Sequence, residues 1–339
     1  MQAADSVEDL SIRLAKVEDA SLIIEGLIRC YGESYPNPSM YQEEIVEALI
    51  QQGQMHSVIA LNLAGEVVGH CALSYEHPDD RVPEAGKLFV DPRYRGRHLS
   101  DLLAKERKAH AMQMNLSGFW AACVTNHPYS QLEIISLGGS ETGLLINGQP
   151  NTVHMDGLKN IGDSRHSLIP YYVSLKPCHG TTVNLPEYHH DFFIDLLKHT
   201  GLRRKIGEKV SASKIPTSLS VHHSAEGKPS HIKVLQIGDD FLRKTELIIK
   251  NLSSEKHPVI YLDMPMTHAL AAEAIIELET LGFFWGAWLP GYGLDGDILR
   301  LQCLLDKTVN QTDVVCARPE AALIKDFIMS EWRRVSLVS

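Results

Sequence analysis

The stretch Leu88-Phe89-Val90-Asp91-Pro92-Arg93-Tyr94-Arg95-Gly96-Arg97-His98-Leu99-Ser100 constrains this chain more than any other. Apolar strand residues run into a proline, which cannot extend a ladder, and a basic, glycine-containing turn opens a helix whose apolar stripe is Leu99, Leu102, Leu103 and Ala109. A helix N-terminus presents unpaired N–H groups and the positive end of the dipole, and a glycine beside it lets an anion approach the backbone. The layout is that of a diphosphate site at the end of a strand. Residues 93 to 108 carry Arg93, Arg95, Arg97, Lys105, Arg107 and Lys108 against Asp101 and Glu106 alone, in a chain whose formal charge is −10. Such an island suits an anionic ligand, and it equally suits the solvated face of an amphipathic helix.

A chain of 339 residues exceeds the usual span of one core, so two domains are expected. The acidic balance argues against nonspecific nucleic-acid binding, which needs broad neutralisation of phosphates. The N-terminus shows no basic region followed by an apolar run, and the most apolar segment, Leu281 to Leu289, stops at Pro290, so neither a secretory signal nor a membrane span is expected. The cysteines Cys30, Cys71, Cys123, Cys178, Cys303 and Cys316 are scattered, which predicts reduced, mostly buried thiols in a cytoplasmic protein. No histidine or cysteine pair has a metal-ligand spacing, so no metal is expected.

Periodicity predicts a strand at Ile12 and Leu14, a helix from Ala20 capped by Asp19, and a second helix opened by a Ser39/Gln42 capping box and ended by Gly53. A hairpin of His56 to Leu63 and Glu66 to Tyr75 turns at Ala64-Gly65, and Glu84 to Val90 is the strand that feeds the basic turn. Phe119 to Val124 reads as a buried strand, Tyr129 to Leu137 as a helix ended by Gly138-Gly139, and Leu168 to Leu175 as a later strand of the same sheet, after a polar insertion from Asn147 to Ser167. The pattern restarts after Pro186. Helices are expected at Tyr188 to His199, Phe241 to Leu252 and Ala269 to Leu281, and strands at Ile232 to Ile237, Val259 to Leu262 and Ile298 to Leu305.

Arg93 and Gly96 fit the first and fourth places of R-x-x-G-x-G/A, and the order β-α-α-β-β-β-α-β-α surrounds them; in both respects the first half resembles the GCN5-related N-acetyltransferases (GNAT). His98 departs from the pattern, standing where that family carries Gly or Ala. The run Gly282-Phe283-Phe284-Trp285-Gly286 and the strand at Asp297 to Gln302 are similar to the end of such a domain. The resemblance implies an α/β fold of two GNAT-like domains, residues 1–180 and a degenerate 186–339, each a mostly antiparallel central mixed sheet flanked by helices.

For the site, the resemblance implies acetyl-CoA as cosubstrate, with its diphosphate on Arg95, Gly96, Arg97, His98, Leu99 and Ser100 and its pantetheine along the backbone of Phe89 and Val90. Asn126 and His127 bracket the family's pantetheine-binding asparagine, and Asn126 would alternatively cap a helix. Ile134 holds the place of the family's thiolate-protonating tyrosine, with Tyr129 earlier on the same helix. Glu84 lies six residues before Val90, which on a regular strand puts both on one face, and some protein-acetylating members carry their glutamate at that spacing. Glu84 is thus the candidate general base. The implied function is direct acetyl transfer to an amine, on a small molecule or a protein, with the second half shaping the acceptor cleft or a homodimer interface. The acidic and aromatic Tyr31, Glu33, Tyr35, Tyr41, Asp79 and Asp80 flank the acceptor side in this fold. A non-catalytic acyl-CoA sensor or partner-binding module is the alternative, favoured by His98 and Ile134.

Overall fold

The computed structural model describes residues 9–76, 80–150, 165–177, 180–207, 215–223, 227–255 and 257–337. Asp79, Cys178 and most of the Asn147 to Ser167 insertion lie outside them.

The first half begins with β1 (Ser11–Leu14), α1 (Ala20–Tyr31) and α2 (Glu43–Gln51). The expected caps are absent. Asp19 accepts from Lys16 N at 2.7 Å and is bidentate with Arg13, so it fixes the turn ahead of α1 and makes no cap bond to it. Gln42 is the N-cap of α2 without a side-chain bond, while Ser39 sits in a short turn whose own cap is Asn37. The hairpin forms as expected from β2 (Met55–Leu61) and β3 (Val67–Ser74), because Asn62 Oδ1 accepts from the N–H groups of Ala64 and Glu66 and closes the turn. Then follow β4 (Glu84–Val90), α3 (Leu99–Gln113), β5 (Gly118–Val124), α4 (Tyr129–Ser136), the short β6 (Gly139–Glu141) and β7 (Leu145–Gln149), and β8 (His166–Ser174). Gly139, expected to help end α4, already belongs to β6.

These strands make one mixed sheet in the order β1-β2-β3-β4-β5-β8-β6, with β7 also on β8. Helices α1 and α2 cover one face through Ile23, Leu27, Val46, Ala72 and Phe89, and α3 covers the other through Leu99, Leu103, Val58 and Val68. After the short β9 (Thr182–Val183), the second half contains α5 (His190–Thr200), β10 (Lys205–Ile206), β11 (Ser218–His222), β12 (Ser230–Gln236), α6 (Phe241–Ser253), β13 (Val259–Pro265), α7 (Ala271–Glu279), β14 (Phe284–Gly293), β15 (Gly296–Leu304) and α8 (Pro319–Ser336). Its five-stranded sheet runs β11-β12-β13-β15-β14.

The two sheets share a wiring. β4 and β5 are parallel across α3, as β12 and β13 are across α6; β5 leads through α4 to β6, as β13 leads through α7 to β14; the remaining pairs are antiparallel. The halves are not separate bodies of core. Leu144 N donates to Gly286 O and Trp288 N to Thr142 O, each at 2.9 Å, and one apolar cluster runs from Phe119 and Tyr171 to Trp285 and Ile328.

One buried polar contact shapes the site. His70, fully buried, stacks on Phe89 at 5.2 Å; its Nδ1–H donates to Lys87 O at 2.7 Å and its Nε2 accepts from Ser57 Oγ at 2.9 Å, which assigns the neutral tautomer. Burial pushes its pKa down to about 4. Unfolded His70 protonates near 6.5, so between these values the unfolded state binds more protons and stability falls as pH falls. Its contribution to the loss between pH 7 and 4 is on the order of 3 kcal/mol. Urea melts of wild type and His70→Gln at both pH values should show a smaller loss in the variant; equal losses would place the pH sensitivity elsewhere.

Candidate active site

The strand that leads into the basic turn is bulged. Ser74 faces Glu84 and Ala72 faces Gly86, but His70 faces Phe89, so Lys87 and Leu88 together oppose the single residue Cys71. Lys87 adopts φ 55°, and its carbonyl is the one His70 binds. The extra residue breaks the two-residue alternation. Glu84 therefore shares its face with Phe89, on the side of α1 and α2, and Val90 lies on the opposite face with α3. The sequence expectation that Glu84 and Val90 face the same way is corrected.

β4 and β5 pair at one position only, Glu84 with Trp120, backed by Trp120 N donating to Pro83 O at 3.1 Å. Beyond it the strands part, although each has seven residues. Strands that diverge leave backbone groups without a ladder partner, which an extended ligand with amide groups can satisfy. Phe89 and Val90 stand along that opening.

Asp91 is the hub of the turn. It is 1% exposed and accepts from Arg93 N, Arg93 Nε and Nη2, and Arg29 Nε, at 2.8 to 3.1 Å. Burial would raise its pKa, but Arg93 and Arg29 hold it below the usual carboxylate range. Arg93, which also reaches Glu66 at 3.2 Å, is thereby spent on shaping the turn. Arg107 is likewise spent: it is 1% exposed, 2.8 Å from Glu133, and packed over Phe119. Lys108 binds Leu137 O. The basic island is thus not one field. Arg95, whose Nε donates to Val90 O at 3.1 Å, and the exposed Arg97 are the cations of the turn itself.

Gly96 has φ +73° with nothing within 4 Å of where a Cβ would stand, and His98 has φ +59° as N-cap of α3. The His98 ring is exposed and bonded to Asp101 at 2.9 Å, so its bulk is turned along the helix. The N–H groups of Leu99 and Ser100 open α3, where a helix has no acceptors of its own. An open left-handed glycine beside a helix N-terminus fits the diphosphate of acetyl-CoA, and the parted strands fit its pantetheine.

On the loop after β5, Asn126 is buried, and the N-cap of α4 is Pro128 without a side-chain bond, so Asn126 does not cap the helix. His127 is half-buried, its pKa lowered by burial, with its ring 5.2 Å from Tyr129. Tyr129 is 62% exposed and Ile134 lies in the core. The loop is braced by the distant C-terminal segment: Val315 N donates to Thr125 O, and Gln131 binds Val124 O, Val315 O and Ala317 N.

Glu84 is half-buried, and burial raises its pKa to about 7, with Lys87 opposing and Glu76 reinforcing the shift. It shares its surroundings with Tyr35, whose ring meets Tyr31 edge-on at 5.0 Å. Tyr41 staples the same loop, donating to Gly32 O and accepting from Tyr35 N. Near Glu84 stand Asp263, Tyr292 and Arg300 of the second half, none of which was singled out in the sequence as a site residue. Arg300 is bidentate with Asp263 at 2.7 and 2.8 Å, and the Tyr292 hydroxyl donates to Glu76 at 2.5 Å. The signal that could have found them was an Asp and an Arg interrupting apolar strands, and they pair in register on β13 and β15.

Residues 22–131 match the acetyltransferase (GNAT) family model, a segment holding β4, the basic turn and β5. No curated protein matches the chain. Among solved structures, the spermidine N-acetyltransferase of Vibrio cholerae with CoA and spermine is 15% identical over 49% of this chain and 96% of its own, with TM-score 0.37. A GNAT-family acetyltransferase from Staphylococcus aureus is 15% identical over 49% of this chain and 99% of its own, with TM-score 0.36. No helix among the described residues is long and apolar enough to cross a membrane.

Proposed function

We propose that the protein is an acetyl-CoA-dependent N-acetyltransferase that acts on an amine, with the reaction carried by residues 1–180 and with 186–339 a second GNAT-like half that binds no CoA. The observation that carries this reading is the parting of β4 from β5 just after the Glu84–Trp120 pair, with the open turn at Gly96 at the far end of the same strand. Bound acetyl-CoA supplies an activated acyl group. Arg95, Gly96, Arg97, His98, Leu99 and Ser100 would hold its diphosphate, and the backbone of Phe89 and Val90, together with Asn126, His127 and Tyr129, would align its pantetheine. Glu84, ionised above about pH 7, would take the proton from the incoming ammonium through water.

In the second half the turn equivalent to the basic one is Ile237-Gly238-Asp239-Asp240, between β12 and α6. It is acidic, and Gly238 is pressed against Ile215 O, which leaves no room or charge for a phosphate. Calorimetric titration with acetyl-CoA should therefore give one site per chain, weakening with salt. A stoichiometry of two would overturn the assignment of the halves. Release of CoA thiol should then depend on added amine. Ile134, apolar and buried where the family carries its tyrosine, favours the alternative of an acyl-CoA sensor; acetyl-CoA binding without amine-dependent thiol release across an amine panel would decide for it.

A further inference from the structure

The seam between the two halves holds a cation without a counter-charge. Arg165, the residue before β8, is half-buried, and burial pulls its pKa down, with Tyr261 and Asp306 opposing. A guanidinium keeps its proton all the same. Its Nε donates to Asn147 O at 2.9 Å. Nothing else among the described residues engages it: Nη2, shut off from solvent, has no acceptor, and Asp306 is exposed and forms no ion pair with it.

A second orphan lies beside the first. The Tyr261 side chain, on β13, is 3% exposed and its hydroxyl has no partner. A Cβ on Gly148 would stand 2.6 Å from that hydroxyl, so the phenol and the guanidinium meet the same Asn147–Gly148 peptide, one from each half. Burial pushes the pKa of Tyr261 up, against Arg300 and Arg165, which leaves the hydroxyl a neutral donor. Two buried donors without acceptors each carry a desolvation cost, and one shared acceptor removes both.

Arg165 lines a cavity of about 370 Å³ together with Ser253, His257, Pro258, Leu305 and Asp306 of the second half. The size falls at the lower end of small-molecule pockets, ~300–1,000 Å³. Its other polar side chains are committed elsewhere. Ser253 Oγ donates to Ile249 O at 2.8 Å, and the His257 ring meets Lys228 O and Glu255 Oε2 at 3.0 Å each. Pro258 and Leu305 give the cavity an apolar side.

The charges fit a monoanion. One guanidinium and one neutral hydroxyl match a single negative charge, a planar carboxylate suits the guanidinium fork, and Asp306 on the rim opposes a second charge. We propose that this cavity binds the carboxylate of a small organic acid, with the Arg165 guanidinium and the Tyr261 hydroxyl as donors and with Pro258 and Leu305 against its aliphatic part. The site is separate from the acetyl-CoA turn, since in the order β4-β5-β8 Arg165 precedes the strand beyond β5. Its ligand ties the start of β8 to β13 and the end of β15, so binding stabilises the joint between the halves and needs neither acetyl-CoA nor amine.

The test titrates butyrate, with n-butanol as the uncharged control, into the full-length protein with excess CoA present and ionic strength held constant, followed by ligand-observed NMR and by melting temperature. Butyrate should bind saturably in the millimolar range and raise the melting temperature, and n-butanol should do neither. Arg165→Gln should weaken butyrate binding by about tenfold or more, the scale of hydrogen bonds to a charged group, with CoA affinity unchanged. Tyr261→Phe keeps the ring that packs on Arg300 and should weaken binding in the same direction. It also serves where Arg165→Gln fails to fold. Absence of saturable butyrate binding, or binding that survives both substitutions, overturns the proposal. Inorganic phosphate that binds through Arg165 more tightly than butyrate would overturn the carboxylate assignment.

Discussion

Glu84→Gln is expected to lower the acetylation rate at neutral pH by ~10²–10⁴-fold, the usual contribution of a general base, with the acetyl-CoA Kd nearly unchanged. The carboxylate sits at the Trp120 pair, on the face of α1 and α2, away from the turn that opens α3. The pH profile separates a base from a structural residue. With a pKa of about 7, Glu84 gives the wild-type profile an acidic limb, activity rising as the group ionises. The Gln variant should lack that limb and recover partly at high pH, where more amine is already free. Stability moves the opposite way. Because the folded pKa is raised above 4.5, the folded state binds more protons than the unfolded state between those values, and stability falls as pH rises through the window. Glu84→Gln removes this penalty, so the variant should melt no lower than wild type at pH 8. A wild-type rate across the pH range would assign Glu84 a structural role and leave water or His127 as the exit for the proton.

Strand β4, which bears Glu84, separates what the sequence carries from what it does not. The bounds of β4 were legible at both ends, since Glu84 follows a proline and Val90 precedes Asp91-Pro92. Its facing was not. The bulge depends on Lys87 entering the left-handed region, a conformation that no local pattern around a lysine announces, and it is held by His70 from the neighbouring strand. The caps failed for a related reason: Asp19 and Ser39 are competent capping residues, but Arg13 and Asn37 offered closer local partners. Helix α8 escaped because its apolar positions are separated by charged ones, and the packing that fixes it, against β14, comes from elsewhere in the chain. The contact between Glu76 and the second half is the extreme case. Glu76 and Tyr292 are 216 residues apart, and nothing in either segment names the other. By contrast, the basic turn and its helix are contiguous, so one local pattern sufficed to find them.

Gly96→Asp is expected to weaken acetyl-CoA binding by up to roughly a thousandfold at low salt, taking about 4 kcal/mol for two unit charges 4 Å apart at the effective dielectric of a protein surface. The position allows a clean control. A Cβ at Gly96 meets nothing within 4 Å, so the substitution does not fail through a clash, and φ +73° leaves strain as the remaining complication. Asn and Asp both tolerate the left-handed region better than other side chains, and they match in size and shape while differing in charge. Gly96→Asn should therefore retain most of the affinity, while Gly96→Asp loses it, and the gap between them should narrow as salt screens the added carboxylate. The two variants should also share a melting temperature without ligand. Wild-type affinity for acetyl-CoA in both the Asn and Asp variants would move the diphosphate away from this turn. Equal loss in both would mean that the backbone at Gly96, rather than the charge it leaves uncovered, is what the ligand needs. In the expected case, the affinity is set by the local charge at one exposed turn and not by the chain's overall charge of −10.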